Sequence, residues 1–208
     1  MEQFHHRDPG LIGLLGSSPS TQPFYSIIVD NIHSHPASVK MAYKAHPRGT
    51  ILITDAIEAM GLPPGHYKLG TMQVEITDRA KISGTETLAG AIAPMNVLVK
   101  NFYAATGCSL EEALEAATLH PAQLLGITHK KGTLNFGTDA DFLLLDDQLN
   151  LQATYINGKQ AFKIGSPAFT PFVEPIPPPE PKVQQLGQEV NLTGNKKRKI
   201  SPIWEEKE

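Results

Sequence analysis

Three short stretches carry side chains able to do acid–base or anion-binding chemistry: "FHHRDPG" with His5, His6 and Arg7, "VDNIHSHP" with Asp30, His33 and His35, and "LITDA" with Asp55. A carboxylate can take a proton from water and return it to a leaving group, and an imidazole can do either near neutral pH. An arginine fork matches two oxygens of a phosphate or carboxylate. Each stretch also has a plainer reading. Asp55 also reads as a helix N-cap or a loop carboxylate, and "FHHRDPG" as an exposed loop with ordinary charges. Cys108, beside Gly107 at a helix start, has no histidine near it in sequence and reads as a neutral thiol rather than a nucleophile.

The elements that must position these groups follow from periodicity. "FYSIIVD", residues 24–30, is an apolar run rich in β-branched and aromatic residues, as in a strand buried on both faces. Pro36 then suits a first helical turn, with Val39, Ala42, Tyr43 and His46 at helical spacing until Pro47 and Gly49 end the segment. "TILITDA" from Thr50 begins a second buried strand. Strand, helix, strand makes a βαβ unit whose two strands are parallel and adjacent. Asp30, His33 and Asp55 then fall on one edge, where α/β barrels and open parallel sheets bind ligands.

The His33–Ser34–His35 alternation suggests a metal pair. Only about 20 residues separate it from Asp55, too few for the intervening strands of a ~250-residue barrel. His35 reads as the residue that starts the helix.

Further along, residues 66–84 read as a β-hairpin excursion. A Gly- and Thr-rich loop follows, then a helix carrying Met95, Leu98, Val99, Phe102 and Tyr103. Ser109 and Glu112 stand in capping-box spacing at the next helix, with Leu110, Ala113, Leu114 and Ala117 on its apolar face. "PAQLLG", with Pro121 and Gly126, is a short helix. Residues 132–162 read as short strands, with a hairpin at "INGK".

The 208 residues are 40% hydrophobic and 19% charged with net charge −3, which gives no sign of a nucleic-acid binder. The lone Cys108 cannot form an internal disulfide and fits a reducing compartment. No run reaches the ~18 apolar residues of a membrane helix, and "MEQFHHRDPG" is too polar for a signal peptide. The expectation is a cytoplasmic protein without membrane segments. From Gly165 onward dense prolines give way to polar residues without apolar period, which predicts a disordered tail over 165–208. Its "NKKRK" cluster reads as a solvated basic patch, with nuclear import as the rarer alternative.

Taken in order, "FHHRDPGLIGLLG", "VDNIHSHPASVKMAYKAHP", "ILITDAIEAMGL", "GTETLAGAIAPMNV", "ATLHPAQLLG", "KGTLNFGTDADFLLLDD" and "TYINGKQAF" resemble the C-terminal part of the animal N-acetylglucosamine-6-phosphate deacetylases, members of the amidohydrolase superfamily. The resemblance covers about residues 4–163. It implies the C-terminal portion of a TIM-type (β/α)8 barrel over 1–125 and strands of a small β-sandwich domain over 126–164. The implied reaction is metal-dependent hydrolysis of the N-acetyl amide of N-acetylglucosamine 6-phosphate, in amino-sugar catabolism.

By the same resemblance Asp55 corresponds to the catalytic aspartate. Asp30, Asn31, Ile32 and His33 correspond to the substrate-contacting loop, which in the family usually reads D-G-x-H; Asn31 stands at the glycine position. Arg7 matches a phosphate-binding arginine supplied across a homodimer interface. Leu88, Ala89 and Gly90 match the loop that closes over the substrate, with Ala89 where serine is commoner. The family's divalent, zinc-type metal is held by a glutamate and two histidines N-terminal to the matched part, so the resemblance implies no metal ligand in this chain. The expectation is an N-terminally truncated chain, a gene-model fragment or short isoform, inactive alone as a deacetylase. The alternatives are a non-catalytic isoform acting as a binding protein and an amidohydrolase with another amide substrate.

Overall fold

The computed structural model describes residues 5–18, 20, 22–166 and 177–178. The tail read over 165–208, with its basic cluster, lies outside the described residues apart from 165–166 and 177–178.

The βαβ unit is present. β1 (Tyr25–Ile27) pairs in parallel with β2 (Thr50–Leu52) in the register Tyr25↔Thr50, Ser26↔Ile51, Ile27↔Leu52. Between them runs α1 (Pro36–Ala45), with Pro36 at its start and Val39 and Tyr43 buried four residues apart on one face. The His35 ring caps this helix by accepting from the Ala37 amide at 3.1 Å. That is the helix-start reading, and it uses up a ring nitrogen that a metal pair would need.

Both strands are shorter than their apolar runs. Ile53 still donates to the Ile27 carbonyl at 3.2 Å, but Asp55 then turns into the left-handed region at φ +49°. A strand cannot continue through that conformation.

A meander follows. β3 (Gly65–Leu69), β4 (Met72–Ile76), β5 (Ala80–Ile82) and β6 (Leu88–Gly90) form one antiparallel sheet in chain order. The hairpin excursion is thus larger than its sequence suggests, because residues 88–90 add a fourth strand where the sequence reads as a loop. Beneath it Ala59, Tyr67, Leu69, Val74 and Ile76 form one core.

α2 (Met95–Thr106) buries Leu98, Val99, Phe102 and Thr106 and stops at Gly107, whose φ of +67° makes the left-handed C-terminal cap. α3 (Leu110–Glu115) opens with the expected capping box: the Glu112 amide donates to Ser109 Oγ, and the Ser109 amide to the Glu112 carboxylate. α4 (Leu119–Leu124) begins two residues before Pro121.

α1, α2 and α3 pack onto the parallel pair through Val29, Val39, Tyr43, Leu52, Phe102 and Ala113. Phe102 meets Tyr43 edge-on at 5.5 Å, and burying a side chain of this size stabilises the fold by roughly 1.5–3 kcal/mol.

β7 (Phe142–Leu145), β8 (Leu151–Ile156) and β9 (Lys159–Lys163) form a third sheet, antiparallel throughout. Asn157 and Gly158, both at positive φ, make the two-residue hairpin read from "INGK". The three sheets are separate, and none is closed on itself among the described residues. None of the described helices is long and apolar enough to cross a membrane.

Candidate active site

Asp30, Asn31, Ile32 and His33 form a tight turn directly beyond β1. Asp30 organises it. Its Oδ1 accepts from the Ile32 and His33 amides at 2.9 and 2.8 Å, and its Oδ2 lies 2.7 Å from His33 Nδ1. Burial pushes this carboxyl up, but the His33 amide, the His33 ring and the Ile32 amide outweigh it and hold the group below its ordinary value. Asn31 sits at φ +63°. Glycine adopts that backbone freely, and Asn is among the few other residues that tolerate it, so the turn keeps a glycine-type shape without the glycine. Ile32 and His33 are exposed.

Asp55 stands on the same edge at the end of the neighbouring strand, exposed and in left-handed backbone. Non-glycine residues held in this region cluster at functional sites. The next residue, Ala56, bridges in parallel to Ala91, and the Ile57 amide donates to the Ala91 carbonyl at 3.0 Å. These bonds bring the end of β6 alongside Asp55. Gly90 is required for so close an approach: a Cβ there would lie 2.5 Å from Ile57 Cγ2, and its φ is +144°.

A cleft of about 270 Å³ opens between the Asp30 turn and the start of α2, lined by Asp30, Ile32, Arg79, Gly90, Pro94 and Val97 among others. It unites three of the residues singled out from sequence. Leu88 and Ala89 are half-buried in β6 and do not line it. Asn31, His33 and Asp55 do not line it either, and neither does Arg7. Arg7 is exposed in a loop where His5 and Asp8 pair, and its amide donates to His5 Nδ1 at 3.2 Å.

Sequence reasoning missed two participants. Arg79, in the β4–β5 turn, reaches the cleft while its guanidinium binds the Asp78 carboxylate at 2.8 and 3.1 Å; Arg79 holds that carboxyl down to about 2. Nothing local in "TDRA" shows that the turn folds over the cleft. Asn101 on α2 donates from Nδ2 to the Val29 carbonyl at 2.9 Å, fastening the residue before Asp30 to the helix. A polar residue beside Phe102 on the core-facing side of a helix was the available signal.

Among the described residues no three His, Cys, Asp or Glu side chains gather to hold a metal ion. Asp55 offers a single carboxylate, so the described residues do not fit a metal on their own.

A profile of the amidohydrolase family matches residues 19–166. The chain belongs to the amidohydrolase family. Among curated relatives, the N-acetylglucosamine-6-phosphate deacetylase of Danio rerio is 54% identical over 167 residues, covering 78% of this chain and 41% of the relative. The enzyme of that name from Homo sapiens is 55% identical over 163 residues, covering 76% and 40%. This amidohydrolase chain therefore spans about two fifths of the length of the curated relatives it matches. Among solved structures, the N-acetylglucosamine-6-phosphate deacetylase of Thermotoga maritima superposes with a TM-score of 0.68 at 32% identity, over 78% of this chain and 44% of that one. A mutant of the Mycobacterium smegmatis enzyme in complex with N-acetyl-D-glucosamine-6-phosphate gives 0.68 at 30%, over 77% and 42%.

Proposed function

We propose that this amidohydrolase chain supplies the proton-transfer and sugar-phosphate-binding part of an N-acetylglucosamine-6-phosphate deacetylase. The observation that carries the reading is Asp55, held exposed in left-handed backbone on the strand edge that also bears the Asp30–His33 turn, with Gly90 of β6 tied alongside through the Ala56–Ala91 bridge. The names of the relatives supply the substrate.

The chemistry asked of Asp55 balances simply. Its carboxylate takes a proton from the water whose oxygen attacks the amide carbonyl carbon. It then returns that proton to the amine nitrogen as the carbon–nitrogen bond breaks, leaving acetate and glucosamine 6-phosphate. His33 and the backbone of the 30–33 turn contact the sugar phosphate, and Leu88–Gly90 close over it.

Arg7 binds the phosphate of a neighbouring copy in a homodimer, a role supported by its exposed position away from the cleft of its own chain. Residues 1–125 then belong to the last strands and helices of a (β/α)8 barrel and 126–164 to a small β-sandwich. Exposed Leu143, Leu144 and Phe162 on the third sheet support the second assignment, because a sandwich strand covers such side chains.

Titration of the full chain with glucosamine 6-phosphate tests the reading, with glucosamine as the control lacking phosphate. Saturable binding of the phosphorylated sugar alone is expected, and equal affinity for both would count against it. Acetate release from N-acetylglucosamine 6-phosphate with added divalent metal separates catalysis from binding. Release that survives Asp55→Asn would remove Asp55 from its role, and binding without release would favour the non-catalytic reading.

A further inference from the structure

Asp30 lines the cleft, yet it has little left to offer a ligand. Its side chain is 2% exposed against 27% for His33. Oδ1 is occupied by two backbone amides and Oδ2 by the His33 ring. A carboxylate held below its ordinary value has no hydrogen to give, so the hydrogen of the 2.7 Å contact sits on His33 Nδ1. The turn itself is anchored from behind, since Asn101 Nδ2 holds the Val29 carbonyl immediately before Asp30. The ring is thus fixed in direction by a buried, anchored partner on one nitrogen, and the opposite nitrogen, Nε2, is left to act.

Resting on the sugar-phosphate reading of this site, we infer that Asp30 is a positioning residue rather than a substrate contact: it fixes the direction and tautomer of His33, so that the bound sugar phosphate meets Nε2. A histidine's active nitrogen is set by the hydrogen bond its other nitrogen makes, and a wrong tautomer disables a site whose geometry is otherwise intact. Of the loop residues aligned with substrate contacts, Asp30 therefore acts through its neighbour. Two functions converge on one carboxylate, capping the amides of the turn and orienting the ring, and a substitution can separate them. In Asp30→Asn the amide oxygen still accepts from the Ile32 and His33 amides, while the amide nitrogen, which can only donate, faces Nδ1. The ring must then accept at Nδ1 and carry its hydrogen on Nε2.

Long-range proton–nitrogen spectra of the isotope-labelled full chain read this directly, with His33 assigned by difference from His33→Gln and the tautomer taken in the neutral-ring limit of a pH titration. A bare Nε2 in the natural protein and a bare Nδ1 in Asp30→Asn are expected. A natural ring with its hydrogen on Nε2 overturns the inference, and that outcome does not depend on Asp30→Asn folding. Glucosamine 6-phosphate should shift the Nε2 signal and leave Nδ1 in place, and Asp30→Asn should weaken its binding about tenfold. On a His33→Gln background the same substitution should cost nothing further; an equal loss on both backgrounds would reduce Asp30 to a turn cap and overturn the positioning role. Failure of the natural protein to bind the sugar phosphate while its ring shows the expected tautomer would instead overturn the proposed function.

Discussion

At the N-terminal end of the β1–β2 pair, Thr50 is fully buried, and its hydroxyl and its carbonyl are both paired. Its hydroxyl lies 2.5 Å from the Tyr25 hydroxyl, and its carbonyl accepts from His120 Nδ1 at 2.8 Å. Burial pushes the Tyr25 hydroxyl up to about 12, although its bond to Thr50 pulls the other way. Burial, then the neighbouring His120, holds His46 below the ordinary imidazole value. At the C-terminal end of the same strands, Asn31 and Asp55 stand exposed in left-handed backbone. One pair of strands thus ends in a dry, satisfied network and in an open, strained one. The dry end can carry stability because water cannot replace its bonds. The open end can carry chemistry because its groups keep capacity for a ligand.

The largest effect in this comparison belongs to the dry end. His120→Leu leaves the buried Thr50 carbonyl without its donor and should cost about 3 kcal/mol in urea unfolding, while affinity for glucosamine 6-phosphate stays unchanged. A matching loss of affinity would mean that the two ends are not independent. His33→Ala should do the reverse, weakening glucosamine 6-phosphate by about tenfold in a binding titration with the urea midpoint unmoved.

A smaller effect probes strain at the open end. Glycine relaxes in left-handed backbone and alanine does not, so Asp55→Gly should unfold about 1 kcal/mol later than Asp55→Ala. Equal stabilities would show that the left-handed backbone carries no strain.

The smallest and most discriminating difference is in pH. His46 has a depressed value in the folded state, so its contribution is full above the ordinary imidazole value of ~6.5 and is lost as pH falls through the folded one. Asp30, also depressed, keeps its contribution above the ordinary carboxylate value of ~3.9 and loses it as pH falls through its own folded value. Unfolding curves taken down the pH scale should therefore bend first in the histidine window, a bend that His46→Gln removes. A second bend, in the carboxylate window, should weaken in Asp30→Asn. A first bend that persists in His46→Gln would assign it elsewhere.

The helices were legible because their signals are local. Pro36 with Val39 and Tyr43, and Ser109 with Glu112, name their own starts and faces. The parallel pairing was legible too, since a single helix of this length between two apolar runs leaves little other topology. Strand ends were less so: a backbone that turns left-handed at Asp55 is decided by what holds both of its sides, and "TILITDA" reads as one strand-forming run up to that residue. Of the site, Asp30, Ile32 and Gly90 came together at the cleft, whereas Arg7, Asn31, His33, Asp55, Leu88 and Ala89 do not line it. Arg79 was invisible because the cleft residues that its turn meets come from distant segments, and Asn101 because the carbonyl it binds lies 72 residues away.

The βαβ unit, the order of its helices, the hairpin at Asn157–Gly158 and the family resemblance are all written in local sequence, because spacing, caps and turn residues act over a few positions. It took the folded chain to show that Asp30 uses both oxygens inside its own turn, that β6 is tied beside Asp55 through Ala56 and Ala91, and that Thr50, Tyr25 and His120 close the opposite end. Those facts depend on where distant segments meet and which water they exclude. Pairwise distance and burial, not residue type, separate a carboxylate that meets the ligand from one that steers its neighbour.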